Sequence, residues 1–463
     1  MRFINFFVGT FVTIVFTLFS ILAIAENYGP YKVTVKANNW NKSGENSVSY
    51  TGQIARHLLH NNLKKAVSSG ASVDEMMKYY KGSKDALPIL DPKSSDKFKV
   101  MQKDINEVSK GKNLSGKTYK GMVAGWPGQM TGSEVIEFMI NKAASSKKGF
   151  DANTGYDYTQ LISKFAMGAV FYNQACDNYL DEKLEANNKP NDQPYKKGAK
   201  YSGKEHSWDE GWGYWGASAN TMNISAKQSY DLAKKKDMDA GDFNKDGVID
   251  LKTEMTFAHA YYASGFDKGG KTDYLKTITK AFIDGRKLIT EADSNKLSDS
   301  QRTQLKAYAD VVCSNWEKVI AEAVFKYAGS TYDSLSKLEV IMESNGDATK
   351  EFRKYAKYWG ELKGFALALQ TGKNNLGETA VKLNRLIGFG PRLMNSSQVT
   401  GVDSSGNYIK DEANSPKEYM LHMLKVQKLM IDAFDVKARN KDKLAQMSDL
   451  AKKLGGSNSA END

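Results

Sequence analysis

Apolar residues recur along this chain at intervals of three and four over long stretches, the period of a helix that buries one stripe. The clearest stretch runs from Asp157 to Leu180, where Leu161, Phe165, Ala169, Tyr172, Cys176 and Tyr179 keep that spacing. Asp157 and Gln160 stand where a capping box would start the helix. Six further stretches read the same way: Gln53 to Ser68, Ser133 to Ser145, Leu275 to Thr290, Gln301 to Tyr327, Glu351 to Gln370 and Ser415 to Phe434. Seven of the eight prolines fall between these patterns and the eighth, Pro416, stands at the very start of one, whereas an all-β chain would use turn prolines more often. The pattern predicts an all-α helical bundle with long polar loops, Lys183 to Lys204 among them.

The two ends read differently. Residues 1–25 carry Arg2, an apolar run from Phe6 to Ala25 and a small-x-small close at Ala23 to Ala25, the form of a cleaved signal peptide. The run is long enough to raise an uncleaved anchor as the alternative, but Thr10, Thr13 and Thr17 dilute it. No later segment is apolar enough to span a membrane, so a periplasmic or otherwise exported protein is expected. The mature chain reads as one helical domain over 26–440, with a partly disordered tail at 441–463 that frays from Gly455 onward.

A repeat divides the domain into halves of about 48–250 and 251–440. Trp208, Glu210, Gly213, Tyr214 and Ala217 align with Trp359, Glu361, Gly364, Phe365 and Ala368, 151 residues apart. Such a repeat predicts a duplicated unit with two pseudo-symmetric halves.

Charge changes the picture little. The chain has a net charge of +11 and a pI of 9.1, but only eight of its 65 basic residues are Arg, the side chain that forks onto phosphate. The lysines are interspersed with acidic residues. That reads as a solvated lysine-rich surface with at most weak attraction to anionic envelope polymers, and export leaves no nucleic acid as partner. Two cysteines, Cys176 and Cys313, form a candidate disulfide in an oxidising compartment, with two separately buried thiols as the alternative.

Three constellations could carry chemistry. On a helix, His206, Glu210, Gly213 and Ala217 share one face, and Trp208, Trp212 and Trp215 lie on the other; Glu361, Gly364 and Ala368 repeat the first face. Gly and Ala on that face point to close helix contact, so both glutamates are expected inside the bundle, sharing a cation or a polar network. His at i with Glu at i+4 suits a metal site on a helix. The second constellation is Asp242, Asn244, Asp246, Gly247, Val248 and Asp250 with Glu254. It matches a calcium loop of the EF-hand type, with Val248 as the expected carbonyl ligand. It departs from the pattern at position 12, which is Thr253, the carboxylate following at Glu254. The third, His57 and His60, is a possible ligand pair or a pair of surface or capping histidines; His259 and His422 stand alone. HExxH, Gly-x-Ser-x-Gly, phosphate-binding and dinucleotide-binding patterns do not occur.

The segments Val48 to Arg56, Gln160 to Ala169, His206 to Tyr214 and the Asp242 loop resemble, in that order, an exported bacterial family of unknown function similar to imelysins. The resemblance spans about Val48 to Phe434. It implies an all-α duplicated bundle in the cell envelope and a link to iron uptake, and an old peptidase label attaches to some imelysins. It also implies that His206 to Glu210 occupies the place of the imelysin Gly-x-His-x-x-Glu motif. Lys204 replaces the Gly and Asp209 the Glu, which leaves His206 and Glu210, with Asp209 as substitute, as the expected iron or other transition-metal ligands beside Glu361.

The expectation is a non-enzymatic periplasmic protein that binds calcium at the loop and a second metal in the bundle, accessory to envelope iron-uptake proteins. The alternatives are a metal-dependent hydrolase with Glu210 or Glu361 as general base, and a sugar- or peptide-binding module using Trp208, Trp212, Tyr214 and Trp215. An aromatic stripe at helical spacing is more often core.

Overall fold

Ser298 and Gln301 exchange hydrogen bonds, side chain to amide in both directions, and this capping box starts the longest helix of the protein. The computed structural model describes residues 26–35, 45–374 and 376–455. Its helices in chain order are α1 (Thr51–Ser69), α2 (Val73–Lys81), α3 (Ile105–Val108), α4 (Gly132–Ala144), α5 (Tyr158–Ala166), α6 (Gly203–Trp215), α7 (Ala226–Ala233), α8 (Ala258–Asp267), α9 (Tyr274–Glu291), α10 (Asp299–Glu343), α11 (Thr349–Leu369), α12 (Gly377–Ile387), α13 (Pro416–Phe434) and α14 (Met447–Lys453). Helix accounts for 55% of the structure. Strands among the described residues form two antiparallel hairpins, β1 (Phe150–Asp151) with β2 (Tyr156–Asp157) and β3 (Ser397–Val402) with β4 (Tyr408–Glu412).

The long apolar stripes become the helices that build the core. α10 packs against α9, α11 and α13, α11 lies on α5, and α1 touches both α5 and α6. Because α11 packs on α5, the described stretches on either side of residue 250 share one core. The Trp-x-Glu-x-x-Gly segments both lie on helices, α6 and α11, although Ala217 falls beyond Gly216, which ends α6 in the left-handed conformation. Both glycines admit a neighbouring helix. A Cβ on Gly213 would stand 2.7 Å from that of Gln53 on α1, and one on Gly364 would stand 2.6 Å from that of Lys164 on α5. The two indoles have different acceptors, the Phe282 carbonyl for Trp208 and the Tyr419 hydroxyl for Trp359.

Several elements depart from the sequence pattern. The stripe from Asp157 to Leu180 is α-helical only to Ala166 and continues in wide π-type turns over 167–172 and 174–179. There the Ala169 carbonyl takes the amide of Tyr119, a distant segment, so the helix widens where a foreign donor enters. α10 runs on to Glu343, and α8, α12 and the β3–β4 hairpin have no counterpart in the predicted elements. The expected tail holds α14, with Leu450 buried. The expected signal segment 1–25 and residues 456–463 lie outside the described residues. Among the described residues no helix is long and apolar enough to cross a membrane.

Cys176, in the second wide-turn segment, is bonded to Cys313 on α10, with Cα atoms 5.6 Å apart. Alkylation of the unfolded, unreduced protein is therefore expected to label neither cysteine, and reduction to lower stability by about 2–4 kcal/mol. Labelling of both without reductant would contradict the pairing.

Candidate functional site

Ser202 and Glu205 cap α6 with a reciprocal pair of hydrogen bonds, which leaves Glu205 Oε1 free to meet Arg286 Nη1 at 3.0 Å. One turn on, Asp209 Oδ1 accepts from Arg286 Nε at 2.9 Å and from the Tyr28 hydroxyl at 2.7 Å, and Oδ2 from the Ser49 amide at 2.9 Å. Arg286, on α9, spends its remaining donors on Ser47 and Thr290. All three charged groups are fully buried, and the two carboxylates hold the guanidinium charged against its desolvation. Asp209, expected as a metal ligand, is thus a counter-ion with its oxygens occupied. Its partner stands 77 residues away in the chain, beyond the reach of any local motif.

His206 and Glu210 do stand together, Nε2 to Oε2 at 3.7 Å. Glu210 Oε1 accepts from Gln53 at 2.8 Å, while Oε2 and His206 Nδ1 are buried without a hydrogen bond. The imidazole lies against Tyr195 and Tyr201, 4.3 and 4.4 Å between ring centroids, and burial pushes its pKa down. Glu361 is elsewhere. It lies beside the Tyr327 hydroxyl and acts on Lys64, Lys164 and Lys326. Gln53, next to Glu210, and Lys64, next to Glu361, are eleven residues apart on α1, about 16 Å along the axis. Glu361 is buried and Glu210 partly so, but the two do not come together to share a cation. Among the described residues no three His, Cys, Asp or Glu side chains stand in a metal-holding group.

His57 and His60 prove to be internal ties. Their Nε2 atoms meet the Gly213 and Ser163 carbonyls at 3.0 and 2.9 Å, joining α1 to α6 and to α5. Burial pushes their pKa values down to about 3 and about 4, so both are neutral donors. His259 is buried against Trp316 and Phe365, and Trp208, Trp212 and Trp215 are core.

The Asp242 loop has no helix leading directly into it, since α7 ends at Ala233. Asp242 accepts from the amides of Asp246 and Gly247, Asn244 from Asp246, and Asp246 from Val248. Gly247, at φ +82°, makes a turn that a side chain would strain. Ile249 then pairs with residues 99 and 101 through two backbone bonds, and Gln102 bonds Asp250 and the Leu251 amide. A single turn follows. The Glu254 amide donates to the Asp250 carbonyl, and Glu254 Oε2 accepts from the Asp250 amide at 2.7 Å. That turn brings the displaced carboxylate back toward the loop.

Just past the loop, Met255 to Ala258 wall a cavity of about 540 Å³. Seven lysines line it against two carboxylates, Asp91 and Glu361, together with five tyrosines. No local pattern distinguishes these lysines, because they come from separate helices and loops.

Replacing Arg286 by Met leaves two buried carboxylates unpaired and is expected to cost about 3–5 kcal/mol in urea unfolding. A loss below about 1 kcal/mol, the range of an exposed pair, would contradict the structural role of Asp209 and Glu205.

Comparison with known proteins adds one finding. No curated protein and no solved structure matches the chain. A family model described as a domain of unknown function (DUF4856) matches residues 136–337, from within α4 to within α10. That stretch holds Cys176, Cys313, Glu205, Asp209, Arg286 and the Asp242 loop, so the disulfide, the three charged groups of the buried cluster and the loop all lie within the matched residues.

Proposed function

We propose that this chain is an exported, non-enzymatic binding protein that holds calcium in the loop from Asp242 to Glu254. The observation that carries the reading is Glu254. Its side chain is 1% exposed, and Oε1 has no hydrogen-bond partner. Burial, together with the charges of Asp246, Asp242 and Asp250, pushes its pKa up. A buried carboxylate crowded by three others is costly unless a cation compensates it. Calcium takes six to eight oxygens and would have to draw together the side chains of Asp242, Asn244, Asp246, Asp250 and Glu254 with the Val248 carbonyl, since among the described residues no three acidic side chains already stand as a metal-holding group.

Calcium there would act on the rest of the molecule. The loop is bonded to residues 99–102, and the Thr253 carbonyl accepts from the Ala219 amide just past α6. A cation would thus fasten the segments leading to both Asp91 and Met255, which wall the lysine-lined cavity. Export is supported by the Cys176–Cys313 bond, which persists in an oxidising compartment. A non-enzymatic role is favoured in that three buried acidic groups are committed to the fold, Glu205 and Asp209 to Arg286, and Glu322 to the amides of residues 437–439.

A second reading keeps the imelysin-like resemblance and a part in iron uptake. His206 Nδ1 and Glu210 Oε2, both buried without a bond, favour it. Two ligands fall short of the four that a closed transition-metal site takes, which ranks this reading below calcium.

Calcium at a hundredfold excess over its Kd is expected to add about 2.7 kcal/mol of stability, read as a rise in melting temperature. Glu254→Gln removes the crowded charge, so it should keep or raise calcium-free stability and abolish the calcium response. An undiminished response in that variant would refute the site. The same carboxyl has a sign in pH. Its folded pKa lies above the usual 4.5, so calcium-free protein should lose stability relative to Glu254→Gln as pH rises from about 4.5 through the raised value. A stability difference between the two that is flat with pH would contradict the crowding.

A further inference from the structure

We propose that the cavity between α1, α5, α8, α10 and α11 binds a small polyanion carrying two or more carboxylate or phosphate groups, with Lys164 as the buried cation that the ligand compensates. This inference does not rest on the calcium loop.

The other buried cations are partnered by the protein itself. Lys204 donates to three carbonyls, each at 2.7 Å. Lys363 donates to the Gly388 carbonyl at 2.7 Å. Arg56 and Arg392 meet backbone carbonyls, and Arg286 has its two carboxylates. Lys164 is 2% exposed, lines the cavity, and has as opposite charge only the Glu361 that it shares with Lys64 and Lys326. It faces the rings of Tyr262 and Phe365, 5.5 and 6.0 Å to the centroids, cation–π contacts at the outer edge of their range and weaker than a hydrogen-bonded anion. Gly364 explains how it is held there. Its missing Cβ lets the Lys164 stem press against α11, so the ammonium is placed by backbone packing rather than by a counter-ion.

The surroundings deepen the imbalance. Lys64, Lys326 and Lys357 line the same space, and Glu361 is the shared opposite charge acting on Lys64, Lys164 and Lys326. Asp91 is engaged by Lys235. Neighbouring ammonium groups repel one another, and burial lowers the pKa of Lys64, Lys164 and Lys326. An entering anion would reverse both effects.

Size and chemistry limit the ligand. A volume of about 540 Å³ suits one small molecule rather than a polymer strand. Ammonium groups are point charges without the planar fork of Arg, so they suit several anionic groups spread over one ligand. Tyr261, Tyr262 and Tyr327 add ring faces and hydroxyls that a carbon skeleton and its polar substituents can meet.

The test is calorimetric titration of the full chain at low salt with citrate, inorganic pyrophosphate and, as a neutral control, glucose. Citrate or pyrophosphate should bind and glucose should not; the tighter of the two anions tells carboxylate from phosphate recognition. Lys164→Met should weaken that anion about tenfold or more, the value of one charge-assisted hydrogen bond, while leaving the melting temperature unchanged or higher. Lys326→Met gives the same reading if the first variant does not fold, and Lys65→Met, an exposed lysine, should bind as wild type. The proposal is overturned if neither anion binds, if Lys164→Met and Lys326→Met bind as wild type, or if Lys65→Met loses as much as they do.

Discussion

Arg286, buried between Glu205 and Asp209, fixes the place of α6, and much of the molecule is arranged around that helix. One guanidinium ties α9 to two successive turns of α6 and to Ser47, while Asp209 also receives Tyr28 and the Ser49 amide. Burying such a cluster is costly, and it persists because the geometry leaves few of its donors and acceptors unmet. With α6 so held, Gly213 lets α1 close in, and the Gly216 carbonyl receives the Phe257 amide at 2.7 Å. Those contacts set one wall of the lysine-lined cavity and the end of the Asp242 loop.

The same standard separates structure from function elsewhere. Glu322 is buried and takes three backbone amides and the Tyr274 hydroxyl; Lys204 and Lys363 close open carbonyls. Their charges are accounted for by the protein itself. Glu254 Oε1 has no partner, Lys164 shares one carboxylate, Glu361, with Lys64 and Lys326, and the two groups have opposite signs. They flank the short segment from Met255 to Ala258, the first in the acidic loop before it and the second across the cavity beyond it. A cation on one side and an anion on the other would each supply what the chain withholds.

Much of the helical architecture was legible because long stripes and side-chain caps are local. Ser298, Ser415 and Asp157 start helices by bonding amides three residues on, and the stripes behind them are buried. The elements that escaped lack those signals. α8 is apolar nearly all round, so no stripe emerges, and α12 follows no capping side chain. The β3–β4 hairpin is mostly half-exposed polar residues. The wide turns after Ala166 depend on the Tyr119 amide, and no periodicity within 157–180 could announce it.

The candidate sites were legible to the same extent. The alternating oxygens of the Asp242 loop are neighbours in sequence, and Gly213 and Gly364 correctly marked close helix approach. The role of Asp209 depended on Arg286, and the exclusion of Glu361 from the α6 site depended on its position along α1, both matters of tertiary placement. The cavity lysines are spread from Lys64 to Lys441 and read singly as surface. Buried charge that awaits an ion is the common feature, and anomalous diffraction from crystals grown with calcium examines it most directly. One anomalous peak is expected about 2.3–2.6 Å from oxygens of Glu254, Asp242 and Asp246 and from the Val248 carbonyl. An ordered loop with Glu254 buried and no peak beside it would rule calcium out of this loop.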